Sequence, residues 1–227
     1  MAPMSESRTA IRVLLVDDDP MVLTGLEAIL RAVADIEVVG RAHDGETALK
    51  QTALHFPDVV LMDVRMPGMG GIEATERLAN SVRAPRVVAL TSFDTDDHLF
   101  RALEAGADGF LLKDIGPDEL AQAIRTVHAG EAILAPWATA RLIRSFASGE
   151  DHRARRDAAG LVASLTAKER EIALLVARGL SNREIAAETY SSEATVKTHL
   201  ARISAKLDAN NRVRIAVAVE RAGIVEE

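Results

Sequence analysis

The chain has 227 residues, of which 48% are hydrophobic and 27% charged, with a formal net charge of −7. That mix excludes disorder along most of the length, and at roughly 150 residues per domain it leaves room for one large domain or two modest ones. There is no cysteine, which excludes disulfides, thiolate metal sites and a cysteine nucleophile.

No apolar run approaches the roughly 18 residues of a membrane span. The start, MAPMSESRTAIRVLLV, lacks the basic end and apolar core of a signal peptide. A cytoplasmic protein with no membrane partner is the expectation. Charge is uneven along the chain. Residues 1–150 carry 14 Lys and Arg against 23 Asp and Glu, whereas 151–227 carry 13 against 11. An acidic first part joined to a mildly basic second part points to two domains with different partners. The basic excess is too small to establish nucleic-acid binding by itself.

In chain order, IRVLLV (11–16), IEVVGRA (36–42), DVVLM (58–62), RVVAL (86–90) and DGFLLK (108–113) are short, nearly continuous apolar runs. Strands buried on both faces of a parallel sheet have this composition. Between them lie segments of helical length with start signals: Asp19-Pro20, Asp44 ahead of 45–55, and Gly116-Pro117 ahead of 117–129. Five strands alternating with five helices predict an α/β domain with a doubly wound five-stranded parallel sheet. A further helix is predicted over 137–147. Residues 148–160 then lose apolar period and read as a flexible linker, with an irregular Ala- and Arg-rich helix as the alternative.

The block 161–227 reads as four short helices, a small all-α domain. Thr166 with Glu169 and Ser181 with Glu184 form capping boxes, and Leu180 and Ile185 stand at hydrophobic-staple positions. Gly179 is a helix stop. Ser192 opens a third helix over 193–207, and 211–222 makes the fourth.

In an open parallel sheet, ligands bind at the carboxyl ends of the strands, near the switch in strand order. The residues falling there are Asp17, Asp18 and Asp19, then Asp63, Thr91 and Lys113. Two carboxylates about 4 Å apart repel by about 4 kcal/mol at an effective dielectric near 20, so stability alone would not assemble them. Oxygen-only ligands point to Mg²⁺. Asp19 fits a helix cap better than a ligand. A dehalogenase-type phosphatase would need an acid two residues after Asp63. Arg65 stands there, which removes the proton shuttle. The six histidines show no ligand-pair spacing.

The runs VDDDP, LMDVRMPGMGG, LTS and FLLKD resemble the response-regulator receiver domain over residues 10–130. The resemblance implies the flavodoxin-like strand order 2-1-3-4-5. It implies that Asp63 accepts a phosphoryl group from a sensor histidine kinase. It makes Asp17, Asp18, Asp63 and the backbone carbonyl of Arg65 the Mg²⁺ ligands. Thr91 and Lys113 become the partners of the phosphoryl oxygens, and Phe110 the switch aromatic. Arg65 and Phe93, each two residues past a site residue, are expected to set phosphoryl lifetime by controlling water access.

In the third helix of the tail, Val196, Leu200, Ile203 and Leu207 share one narrow face. Thr198, Ala201, Arg202 and Ala205 lie opposite, flanked by Lys197 and Lys206. Small residues at the centre with cations at the sides suit a major groove. LTAKEREIALLVARGLSNREIA and SSEATVKTHLARISAKL resemble the LuxR-type helix-turn-helix over 161–225, with 131–160 as the connection. Together the two halves resemble a NarL/FixJ-family response regulator, a transcription factor rather than an enzyme. That resemblance implies Lys197, Thr198 and Ala201 at the groove, and Lys168, Arg183, Arg202 and Lys206 as phosphate contacts. It implies double-stranded promoter DNA with inverted half-sites, and homodimerisation on phosphorylation. It also implies that the resting receiver covers the DNA-binding domain or its dimer face. Thr189 and Ser191 depart from the family by being polar, and Asp208 by replacing a glycine. The fourth helix carries more apolar residues than one buried stripe needs (Val213, Ile215, Val217 and Val219). The excess is expected either at a dimer seam or deeper within the monomer.

Overall fold

The structure is a computed structural model and describes residues 10–92, 96–134 and 152–222. Strand β1 (Ile11–Val16) leads to α1 (Pro20–Arg31), β2 (Ile36–Ala42), α2 (Gly45–His55), β3 (Val59–Asp63) and α3 (Gly71–Ala79). Then follow β4 (Arg86–Thr91), α4 (Asp96–Ala105), β5 (Gly109–Leu112), α5 (Pro117–His128) and β6 (Ile133–Leu134). All pairings are parallel, in the order β2-β1-β3-β4-β5-β6. The sheet therefore has six strands where the sequence predicts five. The sixth is two residues long, too short to leave a periodic signature, and pairs Ile133 with Gly109 and Leu134 with Phe110.

Successive strand residues face opposite sides, which builds two core layers from one run of apolar residues. Val13, Leu15, Leu61 and Leu90 pack under Leu23 and Leu30 of α1 and Leu120 and Ile124 of α5. Leu14, Val16, Val60 and Met62 pack over Ala48 of α2 and Ala74 and Leu78 of α3. Asp19 and Asp44 cap α1 and α2 as their positions predict. The strand order reverses between β1 and β3, and this places the ends of those two strands beside the crevice.

The second domain comprises α6 (His152–Ala163), α7 (Ala167–Ala177), α8 (Asn182–Glu188), α9 (Glu193–Leu207) and α10 (Arg212–Arg221). From residue 152 onward the flexible-linker reading of 148–160 is corrected in favour of its helical alternative, because α6 is a helix. Its anchors are few: Ala158 and Val162 are buried, one turn apart, and Leu165 follows just beyond the helix. Good helix formers such as Ala and Arg supply the rest. The helix predicted over 137–147 lies outside the described residues. Both capping boxes form, with reciprocal bonds between Thr166 and Glu169 and between Ser181 and Glu184. Val196, Ile203 and Leu207 of α9 enter a core with Ile172, Val176, Ile185, Ile215 and Val219.

Candidate functional site

The carboxyl ends of β1, β3, β4 and β5 bring the acidic cluster together. Ligand oxygens of Asp17, Asp18 and Asp63 lie within 4.8 Å of one another. Asp17 and Asp63 are buried, while Asp18 is exposed. Lys113 reaches over from the end of β5, its Nζ 2.6 Å from Asp17 Oδ2 and 3.2 Å from Asp63 Oδ1. Its backbone N–H donates to Thr91 O at 2.8 Å, which locks the ends of β4 and β5 in register. Thr91 is buried at the end of β4.

Electrostatics set the state of these groups. Burial pushes the Asp63 carboxyl above the usual range. The Lys113 ammonium draws it back, the Asp17 carboxylate pushes it up again, and a bond from the Arg65 N–H lowers it. Burial works against the Lys113 charge. The hydrogen bond to Asp17 and the Asp63 carboxylate outweigh that penalty, so its pKa stands above the ordinary lysine value. An ammonium between two carboxylates is a pre-placed partner for added negative oxygens. The oxygen-only donor set, with one exposed carboxylate and two buried ones, fits a hard divalent cation that keeps some of its own water. Asp17 Oδ1 also accepts the Asp19 N–H at 3.0 Å, which orients the carboxylate.

The loop beneath the pocket is held by contact. A Cβ on Gly71, the first residue of α3, would lie 1.8 Å from Asp63 O. Only glycine lets α3 start this close to the Asp63 backbone. Phe110 is fully buried in a cluster with Leu99, Ala102 and Leu103 of α4. Arg65 is exposed beside the pocket. Phe93 lies outside the described residues.

On α9, Lys197, Thr198, Ala201 and Arg202 are exposed, as is Arg183 on α8. Two of the proposed phosphate contacts are engaged within the domain. Lys206 Nζ donates to Glu169 Oε2 at 2.6 Å, and Lys168 Nζ donates to Thr189 O at 3.3 Å and pairs with Glu171 at 2.9 Å. The departures in the turn have a structural account. Thr189 is buried, its hydroxyl donating to Ile185 O at 2.7 Å and lying 2.8 Å from Ser191 Oγ. A hydrogen-bonded pair thus replaces an apolar contact. Asp208 takes the left-handed conformation that a glycine would otherwise supply (φ 50°, ψ 42°).

The excess apolar surface of α10 divides between two neighbours. Ile215 and Val219 belong to the core of the second domain, whereas Val213 and Val217 join the cluster around Phe110 and α4. In this structure the receiver-like domain takes the face that the sequence assigns to a dimer seam or to deeper burial. The polar residues at this junction, Asn182, Asn210, Asn211, Arg212 and Arg214, carry no signal in the sequence that marks them as functional. The paired Asn210-Asn211 ahead of α10 signals a helix cap, and nothing in its spacing distinguishes a cap from a contact between domains.

Comparison with known proteins decides the family. Residues 13–125 match the response regulator receiver domain, and residues 163–219 match the bacterial regulatory proteins of the luxR family. The uncharacterised transcriptional regulatory protein YxjL of Bacillus subtilis (strain 168) is 39% identical over 222 residues, covering 97% of this chain and 100% of the relative. The chain belongs to the LuxR-type response regulators. The transcriptional regulatory protein LiaR of the same strain is 41% identical over 216 residues, covering 95% of this chain and 99% of LiaR. The crystal structure of response regulator ChrA, from a heme-sensing two-component system, shares 39% identity at a TM-score of 0.52, covering 93% of this chain and 97% of ChrA. This LuxR-type response regulator is accordingly a two-component transcription regulator rather than an enzyme, with a receiver domain and a DNA-binding domain. Sensor kinases and DNA are the partner classes of that architecture. Among the described residues, no helix is long and apolar enough to cross a membrane.

Proposed function

We propose that Asp63 is the phosphoacceptor of this response regulator, and that its phosphorylation controls dimerisation and sequence-specific promoter binding through α8 and α9. The observation that carries this reading is the convergence of Asp17, Asp18, Asp63 and Lys113 from separate strand ends. An Asp63 carboxylate oxygen attacks the phosphorus of a phosphohistidine on the kinase. The P–N bond breaks, the imidazole keeps the electron pair, and an acyl phosphate forms. Asp17, Asp18, Asp63 and the Arg65 carbonyl would hold Mg²⁺. Bound there, Mg²⁺ would supply charge neutralisation for phosphoryl oxygens. Lys113 turns from the carboxylates to a phosphoryl oxygen, and the Thr91 hydroxyl takes another. Phosphoryl transfer needs mainly this alignment and charge neutralisation, which a fixed pocket supplies.

The output surface is the exposed face of α9. Lys197, Thr198 and Ala201 are the groove-facing residues, with Arg202 and Arg183 toward phosphates. Lys168 and Lys206 reach DNA phosphates only by leaving their present partners. Ala201 offers no hydrogen bond, so discrimination there rests on methyl contact or shape. Gel-shift and size measurements with and without a beryllofluoride phosphoryl mimic test the reading. Tighter DNA binding and a larger species with the mimic are expected. No change in either contradicts it.

A further inference from the structure

The DNA-binding domain meets the receiver at the C-terminal end of α4. The last carbonyls of a helix have no donors within it, and that end carries partial negative charge. Here the start of α10 supplies the donors. Asn211 Nδ2 donates to Leu103 O at 3.1 Å and to Ala107 O at 2.8 Å, in a buried position. Asn210 Nδ2 donates to Ala105 O at 3.4 Å, and the Arg214 guanidinium donates to Glu104 O at 3.4 Å. Asn211 also serves its own helix, its Oδ1 accepting the Arg214 N–H at 2.7 Å as the N-cap of α10. The turn that receives these donors depends on Gly106 (φ 110°), where a Cβ would lie 2.5 Å from Asn210 Nδ2.

Two further contacts close the junction. Asn182 Nδ2 donates to Ala129 O at 3.2 Å, while its Oδ1 accepts from Arg212 at 3.0 Å. Lys197 and Ala201 of α9 line a cleft of about 210 Å³ whose far wall includes Arg86, His128 and Gly130 of the receiver. A recognition helix must lie in a groove about 12 Å wide with the duplex around it. With the receiver across that cleft, α9 has no such access. The same docking places Val213 and Val217 against the α4 cluster that contains Phe110.

We infer that Asn211 is the latch of a closed, DNA-excluding state. Its side-chain acceptor caps α10, and its side-chain donors fasten α10 to the end of α4. The latch thus grips the receiver surface built around the switch aromatic. This rests on the phosphorylation-controlled reading above and deepens it by assigning the residue that holds the resting state. The two functions of the side chain separate chemically. Asp caps a helix as well as Asn does but has no N–H to donate. Asn211→Asp therefore keeps α10 intact, removes both donors and sets a carboxylate against two carbonyl oxygens. Arg214→Glu is a second variant, at a partly exposed site, that reverses charge at the negative end of α4.

The test uses full-length protein and a DNA duplex selected from a random pool by beryllofluoride-treated wild type. Circular dichroism checks that each variant is folded. Small-angle X-ray scattering reads domain separation without DNA, and fluorescence anisotropy reads affinity. Unphosphorylated Asn211→Asp should show a larger radius of gyration than unphosphorylated wild type, and should bind the duplex at least about tenfold more tightly, as expected for two buried hydrogen bonds lost. Arg214→Glu should shift both in the same direction. Both gains should persist when Asp63→Asn is added, since the latch lies downstream of the phosphoryl group. Wild-type scattering and affinity in both unphosphorylated variants overturn the latch. If beryllofluoride leaves wild type unchanged and selects no duplex, the phosphorylation reading fails instead. The scattering comparison then still decides the latch, with an expanded variant supporting it and an unexpanded one overturning it.

Discussion

At the scale of single residues, burial and charge are set against each other deliberately. Glu169 is buried, caps α7 through Thr166 and accepts from Lys206. The hydrogen bond from Lys206, then the Thr166 N–H, hold its carboxyl down to about 2 from the usual 4.5. A depressed carboxyl stabilises the folded state in full above its unfolded pKa, and that contribution disappears as pH falls through the folded value. The amides of α7, α8 and α9 should therefore lose protection against hydrogen exchange between about pH 4.5 and pH 2. In Glu169→Gln the loss over that window should be smaller, and protection at neutral pH lower. An unchanged acid profile in Glu169→Gln would show that the Lys206 pair does not stabilise the domain. In the pocket, Arg65→Ala should alter the lifetime of the phosphorylated state without abolishing its formation, measured as the decay of the acyl phosphate. An unchanged decay removes Arg65 from the control of water access.

At the scale of elements, α9 of the DNA-binding domain carries a local cost that a substitution can relieve. Asp208 occupies the left-handed C-terminal position of α9. For a residue with a Cβ that conformation costs about 1 kcal/mol relative to glycine. Asp208→Gly should raise the unfolding free energy of the DNA-binding domain by about 0.5–1 kcal/mol, read by urea titration. Ser192→Ala should lower it by about 1 kcal/mol, because Ser192 caps the same helix at the other end, its Oγ accepting the Thr195 N–H. Opposite signs at the two ends of one helix are the expected result. Equal signs would contradict the capping account.

Elements with a strong local signature were legible in the sequence for the same reason. The apolar runs 13–16 of β1, 59–62 of β3 and 87–90 of β4 are buried on both faces and so lack polar interruptions. The caps at Asp19, Asp44, Thr166, Ser181 and Ser192 act within a few residues of themselves. The pocket was also legible, because parallel topology carries every strand end to one edge. Strand β6 was not, since its two residues are held by β5 rather than by their own pattern. Helix α6 was legible only as the alternative to a linker, since Ala158 and Val162 give it a narrow apolar face, which its fit into the neighbouring core makes sufficient. The role of Asn211 was hidden because its capping signature is local while its other bonds reach residues more than 100 positions away.

At the scale of the whole molecule, one apolar helix serves two domains. Residues Ile215 and Val219 of α10 fix the DNA-binding core, and Val213 and Val217 dock that core on α4 of the receiver. Any rearrangement of α4 therefore competes with the docking of α10, and through it with the freedom of α9. Once released, the DNA-binding face should show the salt dependence of phosphate neutralisation, a slope of about −0.9 per phosphate in log affinity against log salt. Removing the charge of Arg202 should reduce that slope by about one such step, whereas Thr198→Ala should leave it unchanged and relax sequence preference instead. A slope unaffected by Arg202→Ala would place that side chain away from the backbone.

The central claim is that the groups at the ends of β1, β3, β4 and β5 form a phosphoacceptor pocket at Asp63. Its most direct test is intact-mass and peptide mass spectrometry after incubation with Mg²⁺ and acetyl phosphate. One added phosphoryl group on the peptide containing Asp63, absent in Asp63→Asn, is the predicted result. No adduct on the folded wild type, or an adduct that persists in Asp63→Asn, would contradict it.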